Sequence, residues 1–262
     1  MKKIFPLALL SILFATGCQG AVLGQPEIRC DKMINKGVVD ICYNYQAKGP
    51  QYVSYYVEKD KVDSGNIEKR PSFYTEKNVP SKYRSKPADY TYATDSKTKK
   101  IYFNRGHLAP DADFDYDQKV LRKVYTMANI VPQEETNNQK NWIKAERYER
   151  YVAGKLGRVH VISGVYYNDP DLYLVKRPIE DIKAAKKWKK NKIISYAKKA
   201  KSLEKKHILI PTHLFKIVED GNGFRKCFLY ENRAYDKNYK LKDWQVECSQ
   251  LPLDKLPVLR AE

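Results

Sequence analysis

Arg105-Gly106-His107-Leu108-Ala109-Pro110 is followed downstream by Asn129-Ile130-Val131-Pro132-Gln133, and then by Asn137-Asn138, Trp142 and Glu146. The first stretch sets a histidine beside an arginine with one glycine between them. Gly106 is read as a sharp turn, Arg105 as a fixed positive charge and Pro110 as a stiff exit. The second stretch offers amide and carboxylate oxygens suited to a hard cation. A neutral imidazole accepts a proton from water near neutral pH, because its ordinary pKa is about 6.5. A base, a guanidinium and an oxygen-rich metal site are the parts that phosphodiester hydrolysis requires. A lone histidine is more often structural than catalytic, and it is the second cluster that makes His107 a candidate base.

Asn138 is the candidate metal ligand. Its amide oxygen is a hard, neutral donor suited to magnesium, which keeps most of its waters. The other reading is that Asn138 caps the helix that follows. Asn137 competes for either task. Glu146 lies eight residues beyond Asn138, about two helical turns, and returns to nearly the same face. It is expected to reach the metal through water or to orient Asn138, unless it is only an exposed helix carboxylate.

Outward from this centre, residues 138–156 read as a helix with Trp142, Ala145, Val152 and Leu156 roughly on one side. Residues 117–127 read as a short helix or turn carrying Leu121 and Val124 inward. Ile101-Tyr102-Phe103 reads as a short strand running into the turn. Tyr52 to Val57, Val159 to Val165, Leu214 to Val218 and Cys227 to Tyr230 are β-branched and aromatic, and read as strands. His207 to Pro211 is expected to begin another. Residues 58–100, punctuated by Pro71, Pro80 and Pro87, form a long loop-rich region. Residues 21–50 look like an irregular lead-in tied by a disulfide.

The chain has 262 residues, 42 % of them hydrophobic, so it builds a real core and global disorder is excluded. Its formal charge of +18 suits a polyanionic partner. Residues 183–206 hold eleven lysines against one glutamate, Glu204, interrupted by Ala184, Trp188, Ile193 and Ile194. That spacing predicts a helix, and Lys186, Lys187, Lys189 and Lys190 are the candidate substrate-capturing cations. A solvated helix that only adds solubility is the alternative.

Lys2 and Lys3 precede a short apolar run, Ile4 to Ala15, as in an export signal over residues 1–20. Ala15-Thr16-Gly17-Cys18 resembles a bacterial lipoprotein box, which predicts lipid anchoring through Cys18. Export from a bacterial cell to the periplasm, cell surface or medium is therefore expected. Residues 21–262 are then one domain with the lysine-rich insertion. With Cys18 set apart, Cys30, Cys42, Cys227 and Cys248 remain, an even number. Four cysteines allow three connectivities, and the local pairing Cys30–Cys42 and Cys227–Cys248 is expected.

Taken together, these motifs resemble the DNA/RNA non-specific endonucleases, enzymes of the ββα-metal fold. The resemblance lies in Arg105-Gly106-His107-Leu108-Ala109-Pro110, in Asn129-x-x-Pro132-Gln133, and in the nine-residue step from Asn129 to Asn138, with Trp142 and Glu146 after it. It extends to Tyr52-Val53-Ser54-Tyr55, Pro87-Ala88-Asp89-Tyr90, Ile162-Ser163-Gly164 and Ile210-Pro211, over about residues 43–235. It implies an α+β fold in which mixed antiparallel sheets flank a ββα-metal catalytic unit of the His-Me finger type. It implies cleavage of DNA and RNA, with His107 as general base and magnesium on Asn138, manganese able to substitute. Glu146 would hold the metal's water shell. Arg105, Arg150 and, by loop position, Arg70 would contact phosphate, while Asn129 would brace the site. The family usually has aspartate where this chain has Asn104, which removes a negative charge near the metal or His107. Nothing in the sequence points to a protein partner.

Two other classes remain on the sequence alone. One is a basic envelope lipoprotein that binds nucleic acid without cutting it, favoured by Asn104 and the lysines. The other is a zinc hydrolase using His107, His160, His207 or His213, although these histidines lack zinc-ligand spacing.

Overall fold

The structure, a computed structural model, describes residues 28–251 apart from 63, 66, 184–187 and 236–238. The expected leader, Cys18, Lys186 and Lys187 lie outside the described residues. In chain order, β1 (Lys32–Asn35), β2 (Val39–Asn44) and β3 (Gly49–Glu58) come first. Helix α1 (Pro87–Tyr90), β4 (Ala93–Asp95), β5 (Phe103–His107), α2 (Gln118–Val124), β6 (Ile130–Glu134) and α3 (Ile143–Leu156) follow. Then come β7 (Arg158–Tyr166), β8 (Leu174–Lys176), α4 (Ile179–Lys183), α5 (Lys190–Glu204), β9 (His213–Glu219), β10 (Arg225–Glu231) and β11 (Gln245–Val246).

Seven strands make one antiparallel sheet in the order β1-β2-β3-β7-β9-β10-β11. Side chains alternate between its faces with period two. Val53, Tyr55 and Val57 of β3, Val159, Val161 and Val165 of β7, and Leu214 and Val218 of β9 share one core cluster. That cluster also holds Trp142, Ala145, Val152 and Ala153, so it is the layer between sheet and α3. Tyr52, Ile162, Tyr166, Phe215 and Ile217, of opposite parity, pack in a second cluster with Cys42 and Cys227. Lys216 has the parity of Leu214 and Val218, which turns its ammonium toward α3. α3 ends where Gly157 takes φ +90°, its amide donating to Ala153 O at 2.8 Å.

The catalytic unit stands on this frame. β5 and β6 pair antiparallel, with His107 opposite Ile130 and Asn104 opposite Gln133. A π-helical turn over Asn137–Trp142 then leads into α3. Two strands and a helix thus form a ββα unit, in an α+β architecture. Both expected disulfides are present, Cys30–Cys42 and Cys227–Cys248, each with a Cα–Cα distance of 5.2 Å.

Several local expectations are corrected. Residues 32–44 are not an irregular lead-in but the hairpin β1–β2, turned by Gly37 at φ +78°. The strand expected at 101–103 begins at Phe103 and carries the whole Arg-Gly-His motif. Residues 207–211 make only an isolated bridge, Leu209 to Tyr173. His207 sits at φ +48° and Pro211 has no N–H, so no ladder propagates. The lysine-rich segment is not one helix, because Lys189 is extended (φ −66°, ψ 150°) and α5 starts after it. Leu156 ends α3 at 47 % exposure instead of facing the core.

Candidate active site

Strand β5 sets Arg105 and His107 on the same side of the hairpin. Phe73, from the long loop, lies beneath both. Its ring centroid is 5.2 Å from the His107 ring and 4.6 Å from the Arg105 guanidinium carbon. Tyr125 closes the other side of the imidazole edge to face at 5.0 Å. No hydrogen bond among the described residues engages the His107 ring, and its Nε2 is buried without a partner. Burial pushes the His107 pKa down to about 4, Asp111 opposing the shift and Arg105 and Arg70 adding to it. The ring is therefore neutral and has a free nitrogen at neutral pH, as a general base requires.

Gly106 serves a different purpose from the expected turn. It lies inside β5, and a Cβ there would sit 2.2 Å from Gln133 Oε1 and 2.6 Å from Gln133 Cβ. The glycine is needed because Gln133 of β6 crosses over it. Gly106→Ala should therefore overpack the hairpin and cost about 1–3 kcal/mol, lowering the thermal unfolding midpoint. An unchanged midpoint would show that the strand gives way freely.

Asn129 is fully buried and staples the segment after His107. Its Nδ2 donates to Ala109 O and Val124 O, each at 2.9 Å, and its Oδ1 accepts from Ala109 N at 2.9 Å. Asn138 lies on the π-helical turn, an irregularity often found at functional sites. It does not cap the helix, because Thr136 holds the N-cap position. No hydrogen bond among the described residues engages the Asn138 side chain. A cleft of about 330 Å³ brings it together with Phe73, Asn104 and Arg105. Asn137 is buried, its Nδ2 donating to Glu231 O at 3.2 Å, while its Oδ1 has no partner among the described residues.

Glu146 is half-buried on the first turn of α3. Burial pushes its pKa up to about 7; Lys216 and Arg150 oppose this, and Asp113 and Asp111 add to it. Asp111 acts on both His107 and Glu146, so the two share one electrostatic neighbourhood.

The arginines divide. Arg105 has no carboxylate partner among the described residues and stays exposed at the cleft. Arg70 is held by Asp115 at 3.0 Å and Asp111 at 3.5 Å, yet its charge still bears on His107. Arg150 is tied to Asp113 at 2.8 Å and lines a separate groove with Lys59, Arg147 and Lys155. Asp111 also accepts from Tyr125 Oη at 2.7 Å. Sequence reasoning missed these carboxylates and the Phe73–Tyr125 bed. The alternation Asp111, Asp113, Asp115 straight after the motif was the available signal. It also missed a buried network in which Glu149 accepts from Lys216 Nζ at 2.5 Å and Tyr55 Oη at 3.0 Å. Burial, together with the neighbouring Glu149, holds Asp113 well above the usual carboxylate range. His160 is engaged on both ring nitrogens, by Ser54 at 2.7 Å and Glu219 at 3.0 Å, so it is not free to bind a metal.

The profile of the DNA/RNA non-specific endonucleases matches residues 22–252. The chain belongs to this family. Among curated relatives, the mitochondrial nuclease of Saccharomyces cerevisiae is 27 % identical over 82 % of this chain and 60 % of its own length. Human nuclease EXOG, mitochondrial, is 24 % identical over 94 % of this chain and 65 % of its own. Human endonuclease G, mitochondrial, is 24 % identical over 80 % and 63 %. The chain thus spans less than two thirds of each of these relatives. A solved EndoG/EndoGI complex contains a chain of the same fold, with a TM-score of 0.63 at 15 % identity over 85 % of this chain and 83 % of that one. These relatives are eukaryotic mitochondrial nucleases, which overturns the expectation of a protein exported from a bacterial cell. That expectation rested on residues 1–20, and a basic start before a short apolar run does not by itself fix a compartment. In this endonuclease family the mechanism is metal-dependent, and the donor set here fits a hard cation. Asn138 offers an amide oxygen unengaged among the described residues, and Glu146 offers a carboxyl two helical turns further along the same helical run. No cage of three or more His, Cys, Asp or Glu occurs among the described residues.

Proposed function

We propose that the protein is a magnesium-dependent endonuclease that hydrolyses DNA and RNA with little sequence preference and leaves 5′-phosphate ends. The observation that carries this reading is the neutral His107, its Nε2 unpartnered among the described residues, on the same strand as Arg105, which lines a cleft shared with Asn138. Water gives a proton to His107 and its oxygen bonds to phosphorus. The bond from phosphorus to the 3′ oxygen breaks, that oxygen leaves with a proton from solvent, and phosphate stays on the 5′ end. Asn138 would hold the cation and Glu146 would order the water around it. When bound, magnesium supplies positive charge against the reacting phosphate. Arg105 offsets the charge that grows in the transition state. Arg70 and Arg150 act through their carboxylate anchors, shaping the field at His107 and Glu146. Asn104 faces the cleft as a neutral group, where an aspartate would add negative charge. Backbone-directed contacts carry no base identity, so sequence preference is weak.

Lys189 and Lys190, exposed at the start of α5, would draw in the polyanion with Lys186 and Lys187 of the same segment. Product-end analysis tests the proposal: cleaved DNA should be ligatable directly, and the 5′ ends of cleaved DNA and RNA should accept a kinase label only after phosphatase treatment. Shifted but uncut substrate in magnesium would favour the alternative, a basic protein that binds nucleic acid without cleaving it.

The pH dependence follows from His107. Its folded-state pKa of about 4 lies below the ordinary 6.5, so the neutral base persists as pH falls through 6.5. The Glu146 carboxyl, at about 7, titrates above it, so the limb of His107 is read in Glu146→Gln, where the acid limb of residual kcat/KM should lie near 4. A limb at 6.5 in that variant would mean that water reaches the imidazole freely and burial does not govern its charge.

A further inference from the structure

The lysine-rich helix α5 encloses a second pocket of about 170 Å³, walled by Tyr92, Trp188, Lys192, Tyr196 and Lys199. Its rings meet edge to face, Trp188 to Tyr196 at 5.3 Å and Tyr92 to Trp188 at 5.9 Å. Tyr196 Oη donates to Arg177 O at 2.8 Å, which fixes that ring. The floor is braced by Lys176, whose ammonium donates to Ala88 O, Asp89 O and Thr91 O. Lys176 is thereby spent on carbonyls. Lys192 and Lys199 are exposed and have no carboxylate partner among the described residues. Lys192 Nζ lies 5.1 Å from the Trp188 ring.

The pocket adjoins the catalytic cleft, because Thr91 lines both. The two are also locked together by packing: Phe103 and Ile130 of the hairpin share a core cluster with Leu203 of α5. Arg177, whose carbonyl holds Tyr196, also sets its guanidinium 3.4 Å from the centre of the exposed Tyr102 ring.

Aromatic walls with ammonium groups at the rim match a flat base on an anionic chain. Size narrows the choice. A cavity of ~150 Å³ takes one benzene ring, so a single six-membered ring fits here and a base pair does not. We propose that this pocket takes an unpaired pyrimidine base of the polynucleotide, with the adjoining phosphates on Lys192 and Lys199, so that α5 holds a single strand leading to the cleft of Arg105 and Asn138. The proposal rests on nucleic acid being the substrate, and it adds single-stranded polynucleotide as the class captured outside the catalytic cleft.

The test is binding of oligothymidylate, oligodeoxyadenylate and a duplex of equal length to the full chain in EDTA, read by fluorescence anisotropy. Trp188→Ala should weaken oligothymidylate binding roughly 5- to 100-fold, the loss of one stacked base, and duplex binding by less than about twofold. Trp188→Phe should retain most of the affinity. Lys192→Gln with Lys199→Gln, both surface changes, should lower the single-strand salt slope by about 0.7 for each phosphate no longer neutralised. If Trp188→Ala does not fold, the lysine pair carries the test. No loss, or equal loss on duplex and single strand, would overturn the proposal. Equal affinity for the two oligonucleotides would overturn the pyrimidine assignment. Binding is read without metal, so failure here is distinct from failure of the endonuclease reading, which cleavage in magnesium reports.

Discussion

Replacing His107 by alanine should cut turnover by ~10²–10⁴-fold, the usual contribution of a positioned general base. Binding should survive, because Arg105 and the lysines that attract phosphate are untouched. Folding should survive too. The imidazole is held by contact with Phe73 and Tyr125 and not by hydrogen bonds among the described residues. The variant should keep a cooperative melt and bind a labelled duplex in EDTA with near-wild-type affinity. Near-wild-type nicking by such a folded variant would remove His107 from the mechanism.

Asn138→Ala and Asn137→Ala should part company. The Asn138 side chain has no hydrogen bond to lose among the described residues, so its variant should fold normally. Its activity should fall by more than the ~10–100-fold typical of an outer-sphere partner. Raising magnesium should restore only part of it. Asn137 is buried and donates to Glu231 O. Its loss should cost about 1–3 kcal/mol of stability by leaving that carbonyl unpaired, with little change in the turnover of the folded fraction. Asn137 Oδ1 is buried without a partner, which keeps the competing assignment concrete. If the two variants behaved in reverse, the ligand would be Asn137.

The candidate site residues were legible because they are nearly contiguous. His107 and Arg105 share one strand, and Asn138, Trp142 and Glu146 share one helical run. The long strands were equally legible, since Val159 to Val165 is β-branched on both faces. What stayed hidden depends on pairing across long stretches of chain. Asp113 reads as a loop carboxylate until Arg150 is packed against it from α3. Lys216 reads as an interruption in an apolar strand until the parity of β9 turns it onto Glu149. Phe73 had no pattern to mark it in a polar loop. The hairpin of β1 and β2 escaped because its strands are short and its turn rests on one glycine. Gly106 was found for the wrong reason: the sequence shows a small residue, and only the register of β5 on β6 shows Gln133 above it.

Relaxation of a supercoiled plasmid by the purified full chain, in magnesium and in excess EDTA, tests the central claim most directly. A metal-dependent endonuclease built on His107 and Asn138 should convert the plasmid to nicked, then linear and fragmented DNA in magnesium, and leave it intact in EDTA. Cleavage that persists in EDTA, or a plasmid that is bound but stays supercoiled in magnesium, would contradict the account.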